Sequence, residues 1–431
     1  MRTRQTVRLA AMACAAGLAV TGVAACSSQS GPPTLNWYAM PDNGGIAKRA
    51  QECAAKSAGA YRVHIEVLPS DATAQREQMV RRLAAHDSSI DIVSLDVVYT
   101  AEFANAGFLR PFSEADRAEL TAGMLDAPVK TGEWDGKLYA VPMKSNAQLL
   151  FYRKSAARAA GVDPTAADFT WDRMLKAAVG QHKTVAEQGA RYEGYMVWVN
   201  ALVLSAGGQI LDNPAAGRNA KPAINSAAGK QAAQIIGGLA NSSAAPSDLS
   251  TAQEEQSRST FQSDRGMFML NWPYVVAAAR KAAESGSLKQ SVVDDIGWAR
   301  YPKVDADKES APPLGGANLA IGAYSEHPDL ANTLIKCVAN PAGATQYMID
   351  EGEPSPYKAT YDDPTVRKNY PDADLIRDSI DSAGPRPITP YYVDVTGSII
   401  AGWHPPSSVD QSTPADSARL MADVLAGRRL L

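Results

Sequence analysis

The chain has few of the residues that most often carry catalysis or metal binding. Its 431 residues include only five histidines and four cysteines. The histidines are scattered along the chain without the spacing of metal ligands: His64, His86, His182, His327 and His404. Neither a Gly-x-Ser-x-Gly elbow nor a His-Glu-x-x-His helix occurs. We therefore predict no catalytic residue, no metal and no cofactor.

The chain also lacks an excess of positive charge. Its formal net charge is −4, and the first 25 residues carry three arginines and no acid, so the remainder stands near −7. Proteins that bind a phosphate backbone need clustered Lys and Arg, so a nucleic acid is not an expected partner. Past the N-terminus, no apolar run approaches the roughly 18 residues that span a bilayer.

The N-terminus predicts export and a lipid anchor. Three arginines precede an apolar stretch, which ends in Val-Ala-Ala before Cys26. This order is typical of a secretory signal, and its end resembles a bacterial lipobox. The resemblance implies removal of residues 1–25 and lipidation of Cys26, followed by a flexible tether to residue 34. An ordinary signal with an incidental cysteine is the alternative.

Two further cysteines predict a disulfide. Cys14 leaves with the signal and Cys26 is the predicted anchor, so Cys53 and Cys337 remain. Outside the cytoplasm two such thiols commonly pair, and we predict a Cys53–Cys337 bridge.

Alternating strands and helices open the mature chain. The pattern predicts strands at 35–40, 61–68 and 90–98, with helices at 46–57 and 72–85 between them. This order is typical of a doubly wound α/β fold, in which ligands bind at the carboxyl ends of strands. Asp96 lies at such an end.

The middle of the chain is mostly helical in pattern. Predicted helices are 171–188, 195–205, 228–240 and 251–262, before a strand at 266–271 that ends on Trp272. Asp135-Gly136 predicts a turn between two extended pieces. Pro142 interrupts the second piece, where a chain could leave one domain for another.

Three segments resemble the bilobed solute-binding subunits of sugar ABC importers, the group that includes maltose-binding protein. They are Trp134–Pro142, Phe261–Trp272 and Gly315–Ile321, and they keep that family's order over nearly the whole mature chain. The resemblance implies two lobes, each a doubly wound sheet flanked by helices, joined by a multi-segment hinge. It places lobe 1 at 35–142 plus 314–365 and lobe 2 at 143–313 plus 366–431.

A narrower resemblance is to the trehalose-binding lipoproteins of mycobacterial trehalose-recycling importers. It rests on stretches such as 95–104, 146–150, 197–200, 271–273 and 386–390. The ligand contacts of that group fall on five positions here: Asp96, Asn146, Glu254, Trp272 and Arg386. Secondary candidates near the lobe edges are Asn43, Trp198 and Gly316. Glu255 is the alternative to Glu254.

The residue types suit a sugar, although each has another interpretation. An aromatic plane stacks on the C–H face of a sugar, and carboxylates accept from its hydroxyls. Trp272 could instead pack in the core, and Asp96 could cap a helix. Asn146 could cap a turn, Glu254 could pair with Arg258 at i+4, and Arg386 could form a surface salt bridge.

The resemblance implies a monomeric receptor that closes around a disaccharide, trehalose being favoured, and delivers it to an ABC permease. A maltose-like glucoside or a glycerophosphodiester is the alternative ligand. A more remote alternative is a glycosidase using Asp96 and Glu254, since such enzymes need two carboxylates about 5–9.5 Å apart. No local motif supports that pairing, and an adhesive lipoprotein would not need polar residues at sheet ends.

Overall fold

The computed structural model describes residues 31–431, so the predicted signal peptide and Cys26 lie outside the described part. The strands are β1 (Thr34–Ala39), β2 (Arg62–Val67), β3 (Ile92–Asp96), β4 (Leu109–Arg110), β5 (Glu133–Trp134), β6 (Lys137–Leu138), β7 (Ala140–Ala147), β8 (Leu149–Arg153), β9 (Thr184–Ala186), β10 (Leu211–Asp212), β11 (Lys221–Pro222), β12 (Gly266–Asn271), β13 (Ile296–Ala299) and β14 (Leu314–Gly322).

The helices are α1 (Gly45–Lys56), α2 (Ala72–Ala84), α3 (Thr100–Asn105), α4 (Glu114–Thr121), α5 (Asp126–Thr131), α6 (Lys154–Ala159), α7 (Trp171–Gly180), α8 (Glu193–Ser205), α9 (Ala227–Ala240), α10 (Glu254–Gln262), α11 (Tyr274–Glu284), α12 (Gln290–Asp294), α13 (Pro328–Val338), α14 (Pro341–Glu351), α15 (Pro364–Asn369), α16 (Ala373–Asp381), α17 (Tyr392–Trp403) and α18 (Thr413–Leu425). No helix in this part of the chain is long and apolar enough to cross a membrane.

Two principal sheets organise the chain into the predicted two-lobed α/β fold. The first has six strands, with β1 parallel to β2 and β3, and β14 antiparallel to β3, β4 and β7. The second has the order β13-β8-β12-β9. The strands of the first sheet come from both early and late parts of the chain, so β14 returns to a sheet that the chain has already left.

The chain passes between the sheets at Gln148, which corrects the crossover expected at Pro142. Residues of β7 pair with β14 up to Ala147, and Leu149 already pairs with β12 in the second sheet. The register of β7 and β14 shifts between Ala317 and Asn318, opposite Lys144 and Pro142. Such a bulge accommodates a proline, which has no N–H to donate. The expected boundary at 142/143 therefore falls inside one continuous strand.

A disulfide joins two helices of the first lobe, as predicted. Cys53 on α1 and Cys337 on α13 are bonded, with their Cα atoms 5.8 Å apart. Both helices pack on a core of buried apolar side chains under the first sheet, which includes Leu35, Trp37 and Leu334. The bridge thus ties together segments that lie 284 residues apart.

The predicted helix at 171–188 is wrong in its second half. Helix α7 ends at Gly180, and His182 then takes a positive φ of 53°. The chain continues into β9, whose three residues are buried beside β12. A short, fully buried strand shows no alternation of polar and apolar residues, so its pattern resembles that of a buried helix.

Candidate functional site

One end of β14 gathers the predicted ligand residues. Ala317 pairs with Asp96 on β3, while Gly315 pairs with Asn146 on β7. The carbonyl oxygen of Leu314 accepts a 3.4 Å hydrogen bond from Arg386. Three residues of β14 therefore connect the strands and the loop on which Asp96, Asn146 and Arg386 lie.

Arg386 forms the centre of a buried ion cluster, which we define as Arg386, Asp96, Glu193, Tyr392 and Thr396. Its Nη1 donates to Glu193 Oε1 at 2.7 Å, and its Nη2 donates to Asp96 Oδ1 at 3.2 Å. The Arg386 side chain is 2% exposed, so the surface salt bridge considered as the alternative to ligand contact is instead a buried ion pair. The two prolines beside Arg386 restrict the backbone that delivers it.

Both carboxylate oxygens of Glu193 accept hydrogen bonds. Tyr392 also donates to Oε1, and Thr396 Oγ1 donates to Oε2 at 2.9 Å. Burial raises the pKa of the Glu193 carboxyl above its ordinary value, and the Arg386 guanidinium opposes that rise. Burial also acts to lower the pKa of Arg386, but Asp96, Tyr392 and Glu193 hold it above its ordinary value.

Trp272 and Glu254 belong to a second group of polar side chains, which we call the tryptophan cluster: Trp272, Glu254, Asn146, Glu353 and Lys144. Trp272 Nε1 donates to Glu254 Oε1 at 3.0 Å, and the indole is 8% exposed. The tryptophan follows β12 directly, while Glu254 is the first residue of α10. The end of a strand and the start of a helix therefore bring the two together.

Asn146 lies beside the indole and is held by a carboxylate. Its Nδ2 donates to Glu353 Oε2 at 3.2 Å, and Lys144 Nζ donates to Glu353 Oε1 at 2.7 Å. Asn146 Oδ1 is buried, and no described side chain or backbone group donates to it. A buried acceptor without a donor is costly, so this oxygen is ready to accept from a ligand.

Two glycines make the close approach possible. A Cβ atom added at Gly315 would lie 2.5 Å from Asn146 Oδ1 and 2.7 Å from Trp272 Cη2. Gly316 has a φ of 134°, and its Cβ would lie 2.4 Å from the carbonyl oxygen of Lys144. Gly316, a predicted secondary candidate, therefore shapes the strand under the site and offers no side chain to it.

The structure distinguishes between the two adjacent glutamates. Glu255 accepts from Arg258 Nε at 3.0 Å and from Tyr274 at 2.6 Å, which leaves Glu254 with the indole. The helical ion pair of Arg258 is therefore made with Glu255 at i−3. Burial raises the pKa of Glu254 to about 7, the nearby charge of Glu353 adds to the rise, and the Trp272 N–H opposes it.

Two secondary candidates lie apart from these clusters. Trp198 is 0% exposed in the core of the second lobe, where its ring packs against Trp171 and Tyr195 at 6.1 and 5.9 Å. Asn43 is exposed on the loop after β1, and its Nδ2 donates to Glu351 at 3.0 Å. Trp198 therefore has the position of a core residue.

Sequence reasoning missed three carboxylates: Glu193, Glu351 and Glu353. Each fixes a side chain that was predicted to touch ligand. Glu193 opens an otherwise apolar helix, and the two others flank Gly352 next to a proline. An isolated charge in a buried or rigid segment is the only local signal they carry. Within the described residues no three His, Cys, Asp or Glu side chains are grouped as metal ligands.

Comparison with protein families gives one match of broad coverage. The model described as "Bacterial extracellular solute-binding protein" matches residues 51–345. A protein of Deinococcus radiodurans, described as a probable ABC transporter-binding protein, is 28% identical over 400 residues, which cover 89% of each chain.

Solved structures share the fold. The maltose-bound MalE3 of T. maritima superposes with a TM-score of 0.80 at 25% identity, covering 92% of this chain and all of that one. The GacH receptor of Streptomyces glaucescens, solved unliganded and with acarbose, gives a TM-score of 0.76 at 18% identity and covers 92% and 99% of the two chains.

Proposed function

Because this chain belongs to the bacterial extracellular solute-binding protein family of transport receptors, we propose that it captures a disaccharide, with trehalose as the favoured ligand. One observation carries the proposal. The indole of Trp272, the carboxylate of Glu254 and the Asn146 amide oxygen, which has no donor among the described residues, meet beside the glycines of β14. An aromatic face for C–H groups and fixed acceptors for hydroxyls are what a sugar requires.

The charges favour a neutral ligand over a glycerophosphodiester. The two clusters contain four carboxylates, Asp96, Glu193, Glu254 and Glu353, against two cations, Arg386 and Lys144. Both cations are paired with carboxylates at 2.7 Å. A phosphate entering here would meet uncompensated negative charge, whereas a hydroxyl finds acceptors.

A glycosidase is not supported. Asp96 accepts from Arg386, and Glu254 accepts from Trp272, so the two carboxylates belong to separate clusters. The matching family and relatives are transport receptors and not hydrolases. This agrees with the prediction that the chain is no enzyme.

We further propose that binding is coupled to closure of the two lobes. Asp96 ends a strand of the first sheet, whereas Trp272 directly follows a strand of the second, so a sugar touching both would favour the closed form. The closed form would present the lobe tips of a monomer to an ABC permease. Lipidation of Cys26 would hold the receptor at the outer face of the cell membrane.

The test is calorimetric titration of the protein starting at Ser27 with trehalose, maltose and glycerophosphocholine in parallel. Binding of trehalose alone supports the class and the ligand. Binding of maltose alone keeps the receptor and overturns the trehalose assignment, and binding of glycerophosphocholine overturns the argument from charge. Asp96→Ala binding as tightly as the parent would contradict bridging between lobes.

A further inference from the structure

The turn after α14 carries two glutamates, Glu351 and Glu353, on either side of Gly352. Each accepts a hydrogen bond from one of the two asparagines that the sequence places at the ligand site. Glu353 Oε2 accepts from Asn146 Nδ2 at 3.2 Å, and Glu351 Oε2 accepts from Asn43 Nδ2 at 3.0 Å. Two distant candidates are thus tied to one three-residue segment.

The orientation of the Asn146 amide follows from the chemistry of its partner. An ionised carboxylate only accepts, so the amide must turn its Nδ2 toward Glu353 and its Oδ1 away. Lys144 Nζ donates to the other oxygen of Glu353 at 2.7 Å, so both oxygens of this carboxylate act as acceptors. The result is the buried Oδ1 beside Trp272 and Gly315 that has no donor among the described residues.

Glu351 holds the loop of Asn43 in the same way. Its Oε2 also accepts from the backbone N–H of Asn43 at 3.0 Å, and its Oε1 accepts from the N–H of Gly45 at 3.0 Å. Glu351 is 6% exposed, and a Cβ at Gly45 would lie 2.6 Å from its Cγ. The carboxylate therefore fits closely into the N-terminal turn of α1.

The backbone between the two glutamates is itself fixed. Gly352 has a φ of 76°, and a Cβ there would lie 2.7 Å from the Cβ of Ala277. The carbonyl oxygen of Pro354 accepts from the Ser145 N–H at 3.0 Å, which attaches the turn to β7. Both glutamates are therefore held in place before any ligand arrives.

We propose that Glu353 is a positioning residue that locks the amide of Asn146 so that its carbonyl oxygen faces the hydroxyl groups of a neutral sugar, while Glu351 fixes the other side of the same turn against the loop of Asn43. This inference rests on the proposed function for its ligand. It extends that function because Glu353, which need not touch the sugar, would determine that Asn146 accepts a hydrogen bond from a sugar hydroxyl.

The first test needs no ligand. The side-chain amide signals of Asn146, assigned by their loss in Asn146→Asp, are followed by hydrogen exchange in the ligand-free protein. We expect slow exchange in the parent, faster exchange in Glu353→Ala, and an intermediate rate in Glu353→Gln, which keeps an acceptor without the charge. Equal rates in the parent and both variants would overturn the proposal, whatever the ligand proves to be.

The second test uses trehalose and its monodeoxy analogues as probes. A misoriented amide costs about one charge-assisted hydrogen bond, so Glu353→Ala should weaken trehalose binding about tenfold. The parent should bind the analogue that lacks the hydroxyl facing Asn146 more weakly than it binds trehalose. Glu353→Ala should bind that analogue and trehalose with equal affinity. Uniform weakening across all analogues would contradict positioning and indicate general disruption.

Glu133→Gln is the matched control. Glu133 is a partly exposed carboxylate of β5 that pairs with Arg117, and among the described residues it is hydrogen-bonded to neither asparagine. Glu133→Gln should leave unchanged both the exchange rate of the Asn146 amide and the relative affinities for trehalose and its analogues. A parent that binds no disaccharide would refute the proposed function, while the exchange experiment would still decide the positioning.

Discussion

The ion cluster and the tryptophan cluster reach β14 through its two neighbouring strands, β3 with Asp96 and β7 with Asn146, yet they differ in which polar group is left unpaired. In the ion cluster each oxygen of Glu193 accepts from at least one donor and Arg386 is shared between two carboxylates, so the buried atom without a partner there is a donor, Arg386 Nε. In the tryptophan cluster the unpaired atom is an acceptor, Asn146 Oδ1, to which no group within residues 31–431 donates. Glu193, with a donor on each oxygen, stabilises an arrangement of the chain, whereas Asp96, whose side chain is 21% exposed, and Asn146 Oδ1 keep acceptor capacity for a ligand.

The largest expected effect concerns the ion cluster. Glu193→Ala leaves the guanidinium of Arg386 buried with one carboxylate fewer, and removing one partner of a buried pair costs about 3–5 kcal/mol. We expect a loss of that size in the free energy of unfolding, measured in urea. Glu193→Gln, which keeps most of the hydrogen bonds, should lose less. A loss below about 1 kcal/mol in the alanine variant would refute the structural role of the cluster.

The disulfide lies outside both clusters and should affect stability alone. Cys53→Ala with Cys337→Ala removes the bridge, for which a loss of about 2–4 kcal/mol is typical. Trehalose affinity, measured below the unfolding transition, should not change. A selective loss of affinity would mean that the α1–α13 connection shapes the site.

Substitutions of Trp272 and Trp198 compare a side chain of the tryptophan cluster with one in the core. Trp272→Ala removes the proposed stacking plane, and loss of a central aromatic contact costs about 2–4 kcal/mol, or roughly a hundredfold in Kd. Trp198→Phe changes a core ring and should lower the melting temperature while affinity stays near that of the parent. Equal affinity losses in the two variants would remove the distinction between site and core.

Acidification should weaken binding through Glu254. Its pKa is raised to about 7 by burial and by Glu353, against the opposing effects of Trp272 and Lys144. If the ionised form accepts from the sugar, affinity at pH 6 should be roughly tenfold below that at pH 8. Calorimetry across this range measures it, and Glu254→Gln should give a flat profile. Affinity that rises on acidification in the parent would contradict the role of the carboxylate.

The stability of the ligand-free protein should change with pH in the opposite sense. A carboxyl whose pKa is higher in the folded than in the unfolded state binds more protons when folded, so stability falls as pH rises from about 4.5 to 7. Glu187, whose pKa burial raises to about 8, extends this fall. Denaturant unfolding at each pH should show a shallower fall in Glu254→Gln, and an unchanged slope would contradict the assignment.

Local patterns in the sequence account for much of this fold. The opening βαβαβ order, the Asp135-Gly136 turn between β5 and β6, and the Cys53–Cys337 bridge follow from short-range or pairwise signals. The buried strand β9 was missed because its three residues carry no periodicity. The crossover was misplaced because a proline inside a sheet needs a bulge, which depends on the partner strand β14.

The candidate site also contains both residues that the sequence indicates and residues that only the structure reveals. Asp96 ends a strand and Trp272 directly follows one, and the sequence pattern places both there; their assignment to the ligand site, like that of Arg386, was implied by the resemblance to trehalose-binding lipoproteins. The partners of Arg386 and Asn146 were not predicted. Glu193 lies 193 residues from Arg386, and Glu353 lies 207 residues from Asn146, so no local spacing could reveal them. Only the three-dimensional fold shows that these carboxylates hold the side chains of the proposed sugar site.

The most direct test of the account is a crystal structure of the protein with trehalose. The account predicts a sugar ring stacked on the indole of Trp272, with one hydroxyl within hydrogen-bond distance of Asn146 Oδ1 and the ion cluster still intact. A sugar bound elsewhere, such as the groove between α7 and α9 lined by Trp171 and Ile235, would contradict it.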